Sequence, residues 1–380
     1  MSNRSWDSSL TRILARIDQT ATEVQNGFPH YADANTGQWT TSTAGDWTGG
    51  FWNGMLWQAY AATNDPRYRE LARAYTERLR NRIESETIFR GFLFYYGAAI
   101  GSILCDDESA AILALQGARA LASQFNQKAQ LIPLGAEAEE ASSVGRGEAN
   151  IDGVPGGTPL LVWAARTSGD QDLADIGCSH ALSHIDLCVR HDGSVSQSAS
   201  FDSITGKTLR RYTHKGYADD STWTRAQAWA MLGYSTSAAA APDQVEFLAT
   251  AQRTADWWIA NVPSGLIAFW DFDAPDLPHT PKDTSGTAIA AASLLKLAEL
   301  LGDTPKGKQY RMHAEATVEA LVRDHLTPIH AHDDRPPGIL TNGCYNNRIG
   351  LAVDNELIWG DYFLMESLLV LGGQLKAISC

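Results

Sequence analysis

The stretch Glu148–Pro159, EANIDGVPGGTP, sets one carboxylate, Asp152, between Ile151 and a turn rich in glycine and proline. Those residue types fix the course of the chain, and with it the direction of the side chain. Burial beside Ile151 and aromatic neighbours would raise the carboxyl pKa toward the range a general acid needs near neutral pH. The competing expectation is an ordinary turn-forming or helix-capping aspartate, and spacing alone favours that one. Thr158-Pro159 offers a hydroxyl cap followed by proline, so a helix is expected to start there, six residues after Asp152.

Other residues could join it. Arg225, in DDSTWTRAQAW, lies between aromatic residues and follows Asp219-Asp220. It either clamps a carboxylate with both arms of its fork or pairs with one of those aspartates, and the sequence leaves both readings open. The chain carries twelve tryptophans. An indole face stacks on a sugar ring while its N–H reaches a hydroxyl. Most are expected to be packing, with Trp47 and Trp229 as the exceptions. His180 and His184 have i,i+4 spacing, but Ala181 stands where a zinc protease helix needs glutamate, so a structural role is favoured. His330-Ala331-His332-Asp333-Asp334 is an equally weak metal pattern and is expected to be a surface loop. No metal and no cofactor is expected, and neither a phosphate-binding glycine loop nor a G-x-S-x-G elbow is present.

Helices must position these groups. Ala288–Leu301 places Ile289, Leu294, Leu297, Ala298 and Leu301 on one broad apolar face, with Lys296 and Glu299 off it. Asp65–Ile83, Glu108–Phe125 and Pro242–Asn261 are patterned in the same way. Val195–Phe201 and Thr208–Tyr212 predict a hairpin around Ile204-Thr205-Gly206, and Leu266–Phe272 predicts a short extended run. GGFWNGMLWQAY, STWTRAQAWAMLGY and LIWGDYFLMESLL share a texture of aromatics among small residues. That texture suggests similar helical hairpins used repeatedly around one core.

Composition bounds the rest. Of 380 residues 44% are hydrophobic and 19% charged, as in a soluble protein with a large core. No linker divides the chain, so one domain is expected over 9–380, behind a frayed start over 1–8. The net charge of −14 argues against nucleic acid and against an anionic membrane surface, leaving a small molecule as partner. No run of membrane-spanning length is evident. The odd count of five cysteines, without metal spacing, and the absence of an apolar stretch in MSNRSWDSSLTRIL together suggest a cytoplasmic protein. A monomer or homodimer is expected.

Six segments in order resemble the unsaturated glucuronyl hydrolases, glycoside hydrolase family 88. They are GDWTGGFWNGMLWQAY, NIDGVPGGTPLLVWAA, RHDGSVSQSASFDSITGK, THKGYADDSTWTRAQAWAMLGY, WDFDAP with KDTSGTAIAAASLLKLAEL, and ELIWGDYFLMESLL. The resemblance covers roughly residues 45 to 370, and HKGYADDSTWTRAQAW is its most specific part. It implies an all-α (α/α)6 barrel with small β-hairpins at the pocket mouth. The implied activity removes an unsaturated uronic acid from a saccharide by protonating C4 of its C4=C5 enol ether and adding water at C5. Asp152 falls on the acid/base position, and Trp47, Arg225 and Trp229 on pocket positions. The family's supporting His-Asp pair is replaced by Ile88-Phe89, a family histidine by Gln197, and a glutamine after His214 by Lys215. Phe89, Gln197, His214 and Lys215 are therefore expected to line the substrate site of an altered pocket. Such departures on an intact scaffold leave two alternatives open: proton-transfer chemistry on a non-sugar metabolite, or a ligand-binding protein without turnover.

Overall fold

The computed structural model describes residues 3–140, 145–329 and 333–379, with side chains from Trp6 onward. Its helices follow one another in antiparallel pairs. In chain order they are α1 (Asn3–Glu23), α2 (Gly49–Thr63), α3 (Pro66–Arg78), α4 (Arg90–Cys105), α5 (Glu108–Ala122) and α6 (Val154–Ser168). Then come α7 (Gln171–Cys188), α8 (Thr224–Ala240), α9 (Val245–Asn261), α10 (Thr284–Leu301), α11 (Pro305–Asp324) and α12 (Ile358–Leu371).

The even-numbered helices touch in a closed ring, α2 to α4 to α6 to α8 to α10 to α12 and back to α2, and each odd-numbered helix packs outside. This is the (α/α)6 barrel. Burial follows the rings. Every described position of α12 is buried, as are nearly all of α8 and α10, whereas α3 and α11 bury one stripe each. A helix surrounded by other helices needs apolar or small residues all round, which explains the shared texture of the three aromatic starts, now α2, α8 and α12. Thr284–Leu301 is also long and apolar enough to cross a membrane by composition, but here it is an inner helix of the ring.

Two inner helices meet almost backbone to backbone beside the site. A Cβ on Gly91 would lie 2.5 Å from the Gly157 nitrogen, and one on Gly156 would lie 2.5 Å from the Phe92 nitrogen. Only glycine allows that approach, so Gly91 and Gly156 let α6 sit against the start of α4.

Short strands close one end of the barrel. β1 (Phe28–Asp33) pairs with β2 (Trp39–Ser42) and with β6 (Asn355–Leu357). β3 (Glu148–Asn150), β4 (Ser198–Phe201) and β5 (Thr208–Tyr212) form the second antiparallel sheet. The expected hairpin is therefore present as β4–β5, joined by a third strand that leads into Asp152.

Several local expectations need correction. Residues from Asn3 onward are helical, and Trp6 is buried against the core, where a frayed start was expected. The helix after Asp152 begins at Val154, with Pro155 in its first turn, so Thr158 and Pro159 lie inside it. Proline is tolerated at position 159 because the carbonyl it leaves without a helical donor, that of Pro155, accepts from the Tyr96 hydroxyl at 3.3 Å. Leu266–Phe272 forms no strand; Phe269 and Asp271 make only isolated bridges, to Lys282 and Trp223.

Candidate active site

Asp152 lies at the end of the barrel where β3 passes into α6. Its backbone N–H donates to Asn150 Oδ1 at 3.0 Å, and the neighbouring Ile151 N–H donates to the Gln197 carbonyl at 2.9 Å. The carboxyl is buried and has one side-chain donor: Gln197 Nε2, 3.3 Å from Oδ2. Gln197 cannot turn away. Its Oε1 accepts from the Thr213 hydroxyl at 2.9 Å, the His214 N–H at 2.9 Å and the Lys215 N–H at 3.1 Å. With its oxygen so engaged, the amide presents its NH2 to Asp152. Among the described residues Asp152 Oδ1 has no hydrogen-bond partner, and it lines a small inner chamber.

That chamber, about 10 Å³, is walled by Trp47, Phe89, Phe92, Trp223 and Trp229, with Glu140, Lys215 and Arg225 as its charged neighbours of Asp152. It has room for about one water. Trp47 and Phe89 also line an outer cavity of about 430 Å³, together with His30, Tyr31, Glu139 and Tyr345. The inner wall is an aromatic stack: Phe89 lies 6.0 Å from Phe92 with planes 15° apart, and Phe92 lies 4.9 Å from Trp229. Trp47 stands between the two spaces, 4.8 Å from Trp359.

Burial in this apolar surround lifts the Asp152 carboxyl to about 7 from an ordinary 3.8, and the Glu140 carboxylate adds to the rise. Lys215, Arg225 and the Gln197 amide pull the other way. The result is a carboxyl poised to give a proton near neutral pH and to take one back.

Lys215 is buried and forms ion pairs with Glu140 and, at 3.5 Å, with Glu139. Its ammonium lies 4.8 Å from the Tyr345 ring centroid. Burial alone would lower its pKa, but Glu140, Tyr345 and Glu139 hold it above the usual lysine value. Glu139 also accepts from the Trp47 indole at 3.1 Å and from the Tyr345 hydroxyl.

Among the expected residues, Trp47, Phe89, Lys215, Arg225 and Trp229 line the chamber with Asp152, and Gln197 braces Asp152. Two have commitments the sequence did not show. Arg225 pairs with Asp283 at 2.7 Å, and not with Asp219 or Asp220. It donates in addition to the Cys344 carbonyl and, at 2.5 Å, to the Tyr345 carbonyl, while lying 4.4 Å over Trp223. Its fork thus ties α8 to α10 and to the 344–345 segment. The His214 ring does not line the chamber; its Nε2 lies 2.7 Å from Oε1 of the buried Glu148, which needs a partner there. Glu139 and Glu140 were missed, because in GAEAEEASS nothing distinguishes them from a solvated acidic loop.

His180 and His184 are structural. His180 Nδ1 accepts from the Ile132 N–H at 3.1 Å, His184 Nδ1 lies 2.7 Å from the His180 carbonyl, and burial keeps both rings neutral. Residues 330–332 lie outside the described residues, and Asp333 pairs with Arg335 at 2.8 Å. Among the described residues no group of three His, Cys, Asp or Glu side chains could hold a metal ion.

A model of Glycosyl Hydrolase Family 88 matches residues 17–366. The chain belongs to that family. An unsaturated glucuronyl hydrolase of Bacillus sp. (strain GL1) is 32% identical over 368 residues, covering 96% of each chain. The crystal structure of unsaturated glucuronyl hydrolase from Bacillus sp. GL1, described as responsible for the degradation of glycosaminoglycan, superposes with a TM-score of 0.89 over 96% of each chain, at 32% identity. An unsaturated chondroitin disaccharide hydrolase of Streptococcus pyogenes serotype M1 is 28% identical, covering 85% of this chain and 80% of its own. As a family 88 member this chain is a glycosidase-type enzyme.

Proposed function

We propose that the protein removes an unsaturated uronyl residue from the end of a saccharide, with Asp152 as both acid and base. The observation that carries this reading is the state of Asp152: buried, braced through one oxygen by Gln197, and presenting its other oxygen to the chamber with a pKa of about 7. The acid form delivers its proton to C4 of the C4=C5 enol ether, and positive charge develops on C5 and the ring oxygen. Water adds at C5 and returns a proton to the Asp152 carboxylate, which restores the catalyst. The hemiketal then opens, and the leaving saccharide departs from C1. One carboxyl suffices, because the intermediate cation is trapped by water and needs no protein nucleophile.

The surroundings support the substrate class. A uronate carries a carboxylate on C5, and Lys215 is the cation in the chamber able to receive it, because its longer pair, at 3.5 Å to the part-exposed Glu139, is exchangeable while Glu140 stays in place; the Arg225 fork is committed elsewhere. Trp229 and Trp47 offer faces for sugar C–H groups. A pyranose ring does not fit a space of about 10 Å³, so on this reading the wall widens on binding while the rest of the saccharide occupies the outer cavity. The similarity to hydrolases acting on unsaturated glucuronyl and chondroitin saccharides favours the same class here.

The test is turnover on unsaturated uronyl disaccharides, sulfated and unsulfated, followed as loss of the ultraviolet absorbance of the C4=C5 bond. Decay that disappears in Asp152→Asn is expected. Absence of decay on every disaccharide refutes the assignment and favours a second reading. In that reading the aromatic wall of Phe89, Phe92 and Trp229 receives a non-sugar enol, and Asp152 protonates it.

A further inference from the structure

The segment 135–140 is fastened to the body of the protein. The Glu137 N–H donates to the Glu86 carbonyl at 2.9 Å, and the Gly135 N–H to the Gly145 carbonyl at 2.9 Å. It delivers Glu140 into the inner chamber, where its side chain is 7% exposed and its Oε1 is engaged by Lys215. Among the described residues its other oxygen, Oε2, has no hydrogen-bond partner, and neither has Asp152 Oδ1 in the same chamber. Two carboxyl groups therefore border one space the size of a water molecule, each with an unused oxygen, and a single ammonium is clamped to one of them.

We propose that Glu140, clamped by Lys215, is the second working carboxylate of this site, a positioning residue whose fixed negative charge keeps the proton on Asp152. Two carboxylates facing one small apolar space do not both ionise without cost, and a neighbouring ammonium favours the charge on the carboxylate it touches. The remaining groups around Asp152 do not reverse this. Gln197 donates one hydrogen bond, Arg225 is neutralised by Asp283, and the Cys188 thiol is held protonated by burial. The direction agrees with the contribution Glu140 makes to Asp152, second only to burial. The proposal rests on the hydrolase reading for its kinetic consequence only.

The test has a readout that needs no substrate. An infrared titration follows the protonated-carboxyl band that is present in the wild type and absent in Asp152→Asn. Glu140→Gln is isosteric and lies in a loop, so the fold is retained. It removes a like charge from Asp152 and leaves Lys215 without its main partner, and both changes lower the midpoint, by about one pH unit or more. Glu140→Asp keeps the charge and holds the midpoint within about half a unit. In kinetics, the high-pH limb of kcat/KM moves down with the midpoint, giving about a tenfold loss at about pH 8 in Glu140→Gln. An unmoved midpoint in Glu140→Gln overturns the proposal and leaves Asp152-dependent hydrolysis untouched. A shifted midpoint without turnover on any disaccharide upholds the carboxyl pair and refutes the hydrolase reading instead. A rise of kcat/KM in Glu140→Gln also overturns it, because Glu140 would then be an obstacle to the substrate.

Discussion

Replacing Asp152 with asparagine should abolish turnover and at the same time stabilise the protein, by an amount that grows with pH. In the unfolded chain the carboxyl ionises near 3.8, whereas in the folded protein burial and Glu140 hold it at about 7. Between those values the folded state keeps a proton that the unfolded state has lost, so rising pH favours unfolding. Above about 7 both states are ionised and the full cost is present. A rise of about three units, at about 1.4 kcal/mol per unit, sets that cost at about 4 kcal/mol. Asparagine has nearly the same shape and never carries the charge. The stability advantage of Asp152→Asn over the wild type should thus be close to nil below about pH 4 and about 4 kcal/mol above about pH 7. Urea unfolding monitored by the fluorescence of the twelve tryptophans measures it directly. Between about pH 5 and about pH 8 the advantage should increase by about 3 kcal/mol. An advantage that is the same at both pH values would mean that Asp152 ionises in the folded protein as it does in water, and the general-acid argument would fall with it.

Two other substitutions probe the frame around that carboxyl. Arg225→Met strands the buried Asp283 carboxylate and two backbone carbonyls, and should cost about 3–5 kcal/mol in urea unfolding, with much of the loss recovered in Arg225→Met/Asp283→Asn. A loss below about 1 kcal/mol would show that the pair does not tie the inner helices together. Gln197→Ala removes the one side-chain donor to Asp152 and the shared acceptor of Thr213, His214 and Lys215, so kcat should fall about tenfold or more while KM stays within about twofold. A rise in KM at unchanged kcat would assign Gln197 to substrate binding instead.

Much of the ring was legible from periodicity, because an inner helix must be apolar on all sides and an outer one on a single stripe. The three aromatic starts carried that information, whereas Ala288–Leu301 read as one apolar face with Lys296 off it and is instead buried almost all round, Lys296 pairing with Glu366 at 2.8 Å. Helix boundaries were less legible. The chain after Asp152 turns helical at Val154, and Pro159 is accommodated inside that helix because Tyr96, nearly sixty residues earlier, satisfies the carbonyl that Pro159 leaves open. Leu266–Phe272 has the residues of a strand, but its neighbours, 222–224 on one side and 281–283 on the other, each pair with it over a single bridge, too short for a ladder.

From the sequence by itself came the helical content and, through the resemblance of six ordered segments, the family and its (α/α)6 barrel, while spacing alone read Asp152 as an ordinary turn or cap. What each polar group does was decided only by tertiary structure. Arg225 reads as free for a ligand until Asp283 and the 344–345 carbonyls fill its fork. Gln197 reads as a sugar contact until three donors from the 213–215 turn orient its amide toward Asp152. Glu140 reads as one acid in a solvated run until Lys215, from a segment 75 residues away, draws it into the chamber. A charge or a hydrogen bond acts over a few ångströms of space irrespective of separation along the chain, and which groups share that space is settled by how the helices pack.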